Sequence, residues 1–134
     1  MSNIRHFRGL EVYKLAMDSA MCIFEASKRF PMEEKYSLTD QIRRSSRSVC
    51  ANIGEAWRKR RYPNAFVNKL SDADAEAAET EVWLEFALKC GYVAPSLADK
   101  LMEAYDHISG KLVRMMNRPD QWRVKSKTGD GKLE

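Results

Sequence analysis

Residues 30–61 read FPMEEKYSLTDQIRRSSRSVCANIGEAWRKRR, and the spacing of their apolar residues points to an α-helical chain. After the Phe30-Pro31 break, Leu38, Ile42, Ser45, Val49, Ile53 and Trp57 recur every three or four residues, the spacing that gathers side chains on one face of an α-helix. Polar and charged residues fill the other positions, so the helix is amphipathic and needs partners to cover its stripe. Ser37 with Asp40 has the form of a capping box at its start, and Arg58-Lys59-Arg60-Arg61 before Pro63 closes it.

The same period continues on both sides. Upstream, Tyr13, Met17, Ala20, Phe24 and Ser27 form a stripe; downstream, one runs Phe66, Leu70, Ala73, Ala77, Thr80, Leu84 and Ala87, and another Leu97, Leu101, Tyr105, Ile108, Leu112 and Met115. Breaks at Pro31, Pro63 and Gly91–Pro95 separate them, Gly91 sits where a helix C′ glycine belongs, and Ser96 with Asp99 repeats the capping-box form. Helices are therefore predicted over 10–29, 38–61, 64–90 and 96–118, each roughly 30 to 40 Å long. No strand alternation occurs. Matched lengths and short connections predict an all-α, up-down-up-down four-helix bundle over residues 1–118, with 119–134 a basic, flexible C-terminal tail.

Composition agrees. The 134 residues are 44% hydrophobic and 31% charged with only 6 Gly and 4 Pro, which excludes a disordered or fibrous chain. No run reaches the ~18 to 20 apolar residues of a membrane span, and no signal-peptide stretch opens the chain. Cys22, Cys50 and Cys90 are odd in number and lack a C-x-x-C pair, so a cytoplasmic setting is expected, with each cysteine a small buried hydrophobe.

Catalytic signatures are missing from the sequence. Neither His6 nor His107 ends the Glu-x-x-His motif of a two-metal bundle, and Glu103 with His107 alone lacks the third ligand of a zinc centre. There is no phosphate-binding glycine loop and no nucleophile turn. The expectation is a non-enzymatic protein with no metal and no cofactor.

Two features point to binding instead. Val82, Trp83 and Phe86 lie off the core stripe of the third helix, among Ala73, Ala75, Ala77 and Ala78; either the bundle buries this extra face or it is an oligomer interface, and we expect the second. The net charge of +4 is unevenly spread. In an alternating bundle one end collects Arg5, Arg8, Arg58, Lys59, Arg60, Arg61, Lys69, Arg114 and Arg118, together with Arg123, Lys125 and Lys127 of the tail. Basic residues at helix C-termini complement the helix dipole at ~0.3 to 1 kcal/mol each. Four in succession plus a basic tail exceed that need, so nucleic-acid or other polyanion contact is expected, with Tyr62, Phe66 and Trp122 near enough in sequence to stack on bases. Arg43, Arg44 and Arg47 fall toward the acidic end, where Glu81, Glu85, Glu103 or Asp106 are expected to pair with them. Asn52, Gly54 and Glu55 interrupt the second helix, where Gly54 permits close backbone approach and the polar pair bridges to a neighbouring helix or subunit.

Phe30, Pro31, Glu34 and Tyr36, then Gln41-Ile42-Arg43-Arg44, then Ser48-Val49 and Asn52-Ile53-Gly54-Glu55 form a pattern that resembles the 23S rRNA intervening-sequence proteins, with the likeness running over roughly residues 7–93. Ala56-Trp57 departs from the glycine that many members carry after the glutamate. The resemblance implies a left-handed bundle that self-associates into a ring-shaped homopentamer, encoded in bacteria. A distantly similar group, the accessory proteins of diversity-generating retroelements, implies binding to nucleic acid and to a reverse transcriptase. The expected function is therefore an oligomeric bundle binding RNA or DNA phosphates through its basic end. The alternative is a protein-interaction scaffold or accessory factor for another enzyme, with no nucleic-acid role.

Overall fold

Pro63 and Pro95 each open a helix, because a proline at the first helical position lacks only an N–H that would have no partner there anyway. In the computed structural model, which describes residues 4–124, α1 spans Glu11–Ser27, α2 Leu38–Arg58, α3 Pro63–Lys89 and α4 Pro95–Asn117. Short 3-10 turns at Phe7–Gly9, Met32–Glu34 and Pro119–Gln121 complete the described residues, which contain no strand. Lys125 and Lys127 of the expected basic tail lie outside them.

The helix ends correct the sequence reading in part. Ser96 lies within the first turn of α4, behind Ala94, so it caps nothing. Ser37 does precede α2, but its hydroxyl donates to Glu34 Oε1 at 2.7 Å, and that same oxygen accepts the Leu38 N–H at 3.3 Å. Glu34 therefore takes the capping role expected of Ser37 and Asp40. Gly91 is at C′ as expected: its φ is +79°, its N–H donates to Leu88 O at 3.0 Å, and the Tyr92 N–H donates to Ala87 O at 2.9 Å, closing a Schellman turn. α2 stops at Arg58, which leaves Lys59, Arg60 and Arg61 in the connection to α3.

α1 packs on α2, α2 on α3, α3 on α4, and α4 back on α1, a closed set of four helices around one core. The stripes predicted for α2 and α3 are the buried ones in every residue, and that of α4 is buried from Leu101 to Met115 with Leu97 at its margin. Completely burying one Leu or Ile of this set contributes ~1.5 to 3 kcal/mol. α1 differs. Its inward residues are Val12, Ala16, Ser19, Ile23 and Ala26, each one position before the predicted stripe, a rotation of about 100° about the helix axis. Ala20 and Ser27 are buried in both readings, Met17 is exposed, Tyr13 packs at the margin of the core, and Phe24 is half-buried. Tyr13 meets the Phe7 ring edge-on at 5.1 Å, which gives its aromatic face a partner outside the core.

Ion pairs and hydrogen bonds tie the corners. Lys111 of α4 donates to Glu11 at the start of α1, at 3.2 Å. Lys69 of α3 pairs with Glu55 near the end of α2 at 2.7 Å and donates to Asn52 Oδ1 at 3.4 Å, so Asn52 and Glu55 bridge to a neighbouring helix as expected. Gly54 faces a ring and not a backbone: a Cβ there would meet Phe7 at 3.7 Å.

Candidate nucleic-acid interface

Arg58 is the last residue of α2, and Lys59, Arg60 and Arg61 follow it into the turn before Pro63. Arg58, Lys59 and Arg61 are exposed, as is Tyr62 beside them. Arg60 turns back. Its Nε donates to the Trp57 carbonyl at 2.7 Å and its guanidinium lies 3.6 Å from the centre of the Trp57 ring, so burial pulls its pKa below the ordinary arginine value. One of the four consecutive basic residues is therefore spent on closing the helix. Of the three aromatics singled out near this end, Phe66 is buried in the core and Trp122 packs against it half-buried, while Tyr62 keeps an open ring.

The N-terminal segment brings Arg8 and His6 near Arg58. His6 Nδ1 accepts the Arg8 N–H at 3.2 Å, and its pKa is lowered by partial desolvation and by the positive charges of Arg8 and Arg58. Arg58 shares with Phe7, Tyr13 and Gly54 a hollow of about 330 Å³. Arg114 and Lys111 of α4 line another of about 320 Å³ with Ile4, Leu10 and Trp122. Arg118 and Arg123 are exposed on the segment leaving α4. Lys69 belongs to the Glu55 pair, whose hydrogen bond and charge raise its pKa, and offers less to an outside anion. Among the described residues Arg58, Lys59, Arg61, Arg114 and Arg118 form no ion pair.

The acidic residues of α3 do not meet the arginines of α2. Glu81 lies against Asp106 of α4, and its carboxyl is pushed up by burial, by hydrogen bonding to Asp106 and by the charges of Asp106 and Asp74. Arg43 Nε instead donates to Ser27 Oγ of α1 at 2.7 Å, and the guanidinium groups of Arg43 and Arg47 lie 4.9 and 5.8 Å from the centre of the Phe24 ring. The expected pairing with Glu81, Glu85, Glu103 or Asp106 is absent among the described residues.

On α3, Val82 and Phe86 are 47% and 52% exposed, so the bundle does not bury the extra apolar face. Trp83 is half-buried, stacks at a tilt on Phe86 with ring centres 5.9 Å apart, and donates from Nε1 to Glu79 at 3.1 Å. Trp83, Phe86, Leu38 and Gln41 line a groove of about 590 Å³, with Cys90 at its side. Cys90 is exposed, against the expectation of a buried thiol; Cys50 is buried, which pushes its pKa up to about 11, and Cys22 is half-buried.

The pattern that defines the 23S rRNA-intervening sequence proteins matches residues 8–114. The chain belongs to this family. The match reaches beyond the Phe30–Glu55 motif to cover nearly all of α4, and so takes in the whole packed set of helices. A crystal structure of a protein of unknown function from the S23 ribosomal protein family of Bacteroides thetaiotaomicron VPI-5482 has a similar fold, with a TM-score of 0.71 at 30% identity, covering 79% of this chain and 95% of that one. No curated protein matches the chain. No group of three or more His, Cys, Asp or Glu side chains among the described residues is arranged to hold a metal ion, and no helix there is long and apolar enough to cross a membrane.

Proposed function

We propose that this family member is a non-enzymatic, oligomeric, cytoplasmic bundle that binds nucleic-acid phosphates through one basic end. The observation that carries the reading is the group of exposed cations without an ion pair among the described residues: Arg58, Lys59 and Arg61 after α2, with Arg114, Arg118 and Arg123 from the end of α4. An up-down-up-down course, left-handed as the resemblance implies, gathers them. It is supported by the Glu11–Lys111, Ser27–Arg43 and Glu55–Lys69 contacts, each of which ties a late part of one helix to an early part of another.

Self-association through Val82, Trp83 and Phe86, in the homopentameric ring the resemblance implies, repeats this end several times at one height. Weak patches then act together, because the second and later contacts are intramolecular. Base preference is slight and salt dependence steep, since each phosphate neutralised releases counterions.

The test is fluorescence anisotropy of labelled structured RNA, single-stranded RNA and duplex DNA across a salt series, with light-scattering mass on the same samples. Affinity is expected to fall log-linearly with salt. Reversing Arg58, Lys59 and Arg61 to Glu is expected to abolish binding without lowering the melting temperature; retained affinity in that variant overturns the proposal. Absence of binding even at low salt leaves the scaffold or accessory-factor reading, which the exposed Trp83–Phe86 groove favours.

A further inference from the structure

Lys35 and Tyr36, which follow the Met32–Glu34 turn, and the first half of α2 line an open hollow of about 490 Å³. Its cations are Lys35, Arg43, Arg44 and Arg47, and its only acidic lining residue is Asp40. Packing four like charges around one carboxylate is electrostatically costly, and among the described residues none of the four forms an ion pair. Two of these arginines are nonetheless fixed from α1, outside the lining of the hollow. Ser27 is 2% exposed and accepts Arg43 Nε at 2.7 Å, which leaves the two terminal amino groups of that guanidinium with their donors. The Phe24 ring supports both Arg43 and Arg47, on one side of the helix at i and i+4. Holding guanidinium forks before a ligand arrives reduces the ordering cost of binding.

Tyr36 lies at the edge of the same hollow and is 83% exposed, with the Lys35 ammonium 5.3 Å from its ring centre. An open aromatic next to arginine forks is the combination that recognises a base and its phosphate together.

We propose that this hollow is an anion site for a phosphate joined to a planar base, with Arg43, Arg44 and Arg47 on the phosphate and Tyr36 stacked on the base. The same unit is presented by a free nucleotide and by an unpaired stretch of a nucleic-acid strand. The site is independent of the basic end: Arg47 and Arg58 are separated by about 16 Å along α2. Either reading stands if the other fails.

The experiment titrates the full chain with ADP, inorganic pyrophosphate and a short single-stranded oligoadenylate, followed by NMR of the Arg43 Nε–H and Tyr36 ring signals and by calorimetry. ADP is expected to shift both signals. Arg44→Glu with Arg47→Glu is expected to weaken ADP by about tenfold or more, as two charge-assisted contacts are lost. Both side chains are exposed, and an unchanged melting temperature checks that the variant folds. Tyr36→Ala is expected to weaken ADP and leave pyrophosphate unchanged, and Arg58→Glu with Lys59→Glu and Arg61→Glu is expected to leave ADP unchanged. Tighter binding of the oligoadenylate than of ADP assigns the ligand to a strand, and equal or weaker binding assigns it to a free nucleotide. The proposal is overturned if ADP leaves the Arg43 and Tyr36 signals in place, if the double reversal binds as the native chain does, or if a polyglutamate peptide binds as tightly as ADP.

Discussion

Thr80 of α3 donates to Ser45 of α2 at 2.8 Å between Oγ atoms, and both side chains are completely buried. Ser45 in turn donates to Ile42 O at 3.4 Å, and Thr80 Oγ1 also lies 2.9 Å from the Glu76 carbonyl. Two hydroxyls thus stand on otherwise apolar stripes and satisfy each other across the interface. They favour one register of α2 against α3, since sliding either helix breaks the hydrogen bond between them and leaves each buried hydroxyl only the carbonyl of its own helix.

Ser45→Ala and Thr80→Val are each expected to cost about 1 to 2 kcal/mol in chemical denaturation. The double substitution is expected to cost less than the two single costs combined, because removing both partners strands neither. Strictly additive costs would show that the hydroxyls act separately.

Gly54 is a helix-interior glycine whose missing Cβ leaves ordinary van der Waals distance to Phe7. Gly54→Ala is therefore expected to stabilise the protein by up to about 1 kcal/mol through helix propensity. Gly54→Leu is expected to destabilise it by displacing the Phe7 ring. Thermal melts of the two variants check the sign.

Glu34 accepts from Ser37, Leu38 N–H and, through Oε2 at 2.9 Å, from Tyr92. The Ser37 hydrogen bond first, then that of Tyr92, hold its carboxyl below the ordinary value of 4.5. The folded pKa lies below the unfolded one, so this stabilisation is complete above pH 4.5 and is lost as pH falls through the folded value. Tyr92 runs the other way. Its hydrogen bond to Glu34 pushes it from 10.0 up to about 12, so its contribution is complete below pH 10.0 and is lost as pH rises through about 12. Glu34→Gln is expected to flatten both limbs of melting temperature against pH; a variant curve parallel to the native one contradicts this.

Val82→Glu with Phe86→Glu is expected to lower the light-scattering mass, since an interface centred on these side chains would then enclose carboxylates. Thiol labelling gives a second readout. Cys90 lies beside the same groove, whereas Cys50 is buried with its pKa pushed up to about 11, so Cys90 is expected to react far faster than Cys50 once the assembly is dissociated. Equal Cys90 rates before and after dissociation would remove this face from the interface.

The four α-helices, their approximate limits and the buried stripes of α2, α3 and α4 are legible in the order of residues alone. A period of 3.6 is a local property, and large apolar residues such as Ile42, Leu70 and Ile108 recur in only one register. The C′ position of Gly91 was legible for the same local reason. The rotation of α1 depends on packing, because its apolar and small residues offer two adjacent faces and the neighbouring helices choose between them. Packing also decided the fate of charge. Arg60 turned to Trp57, Arg43 to Ser27 and Phe24, and Glu34 became the cap of α2, since a long side chain takes whichever partner the packed helices bring within reach. Pattern along a chain specifies a helix face; which face meets which requires all four helices at once.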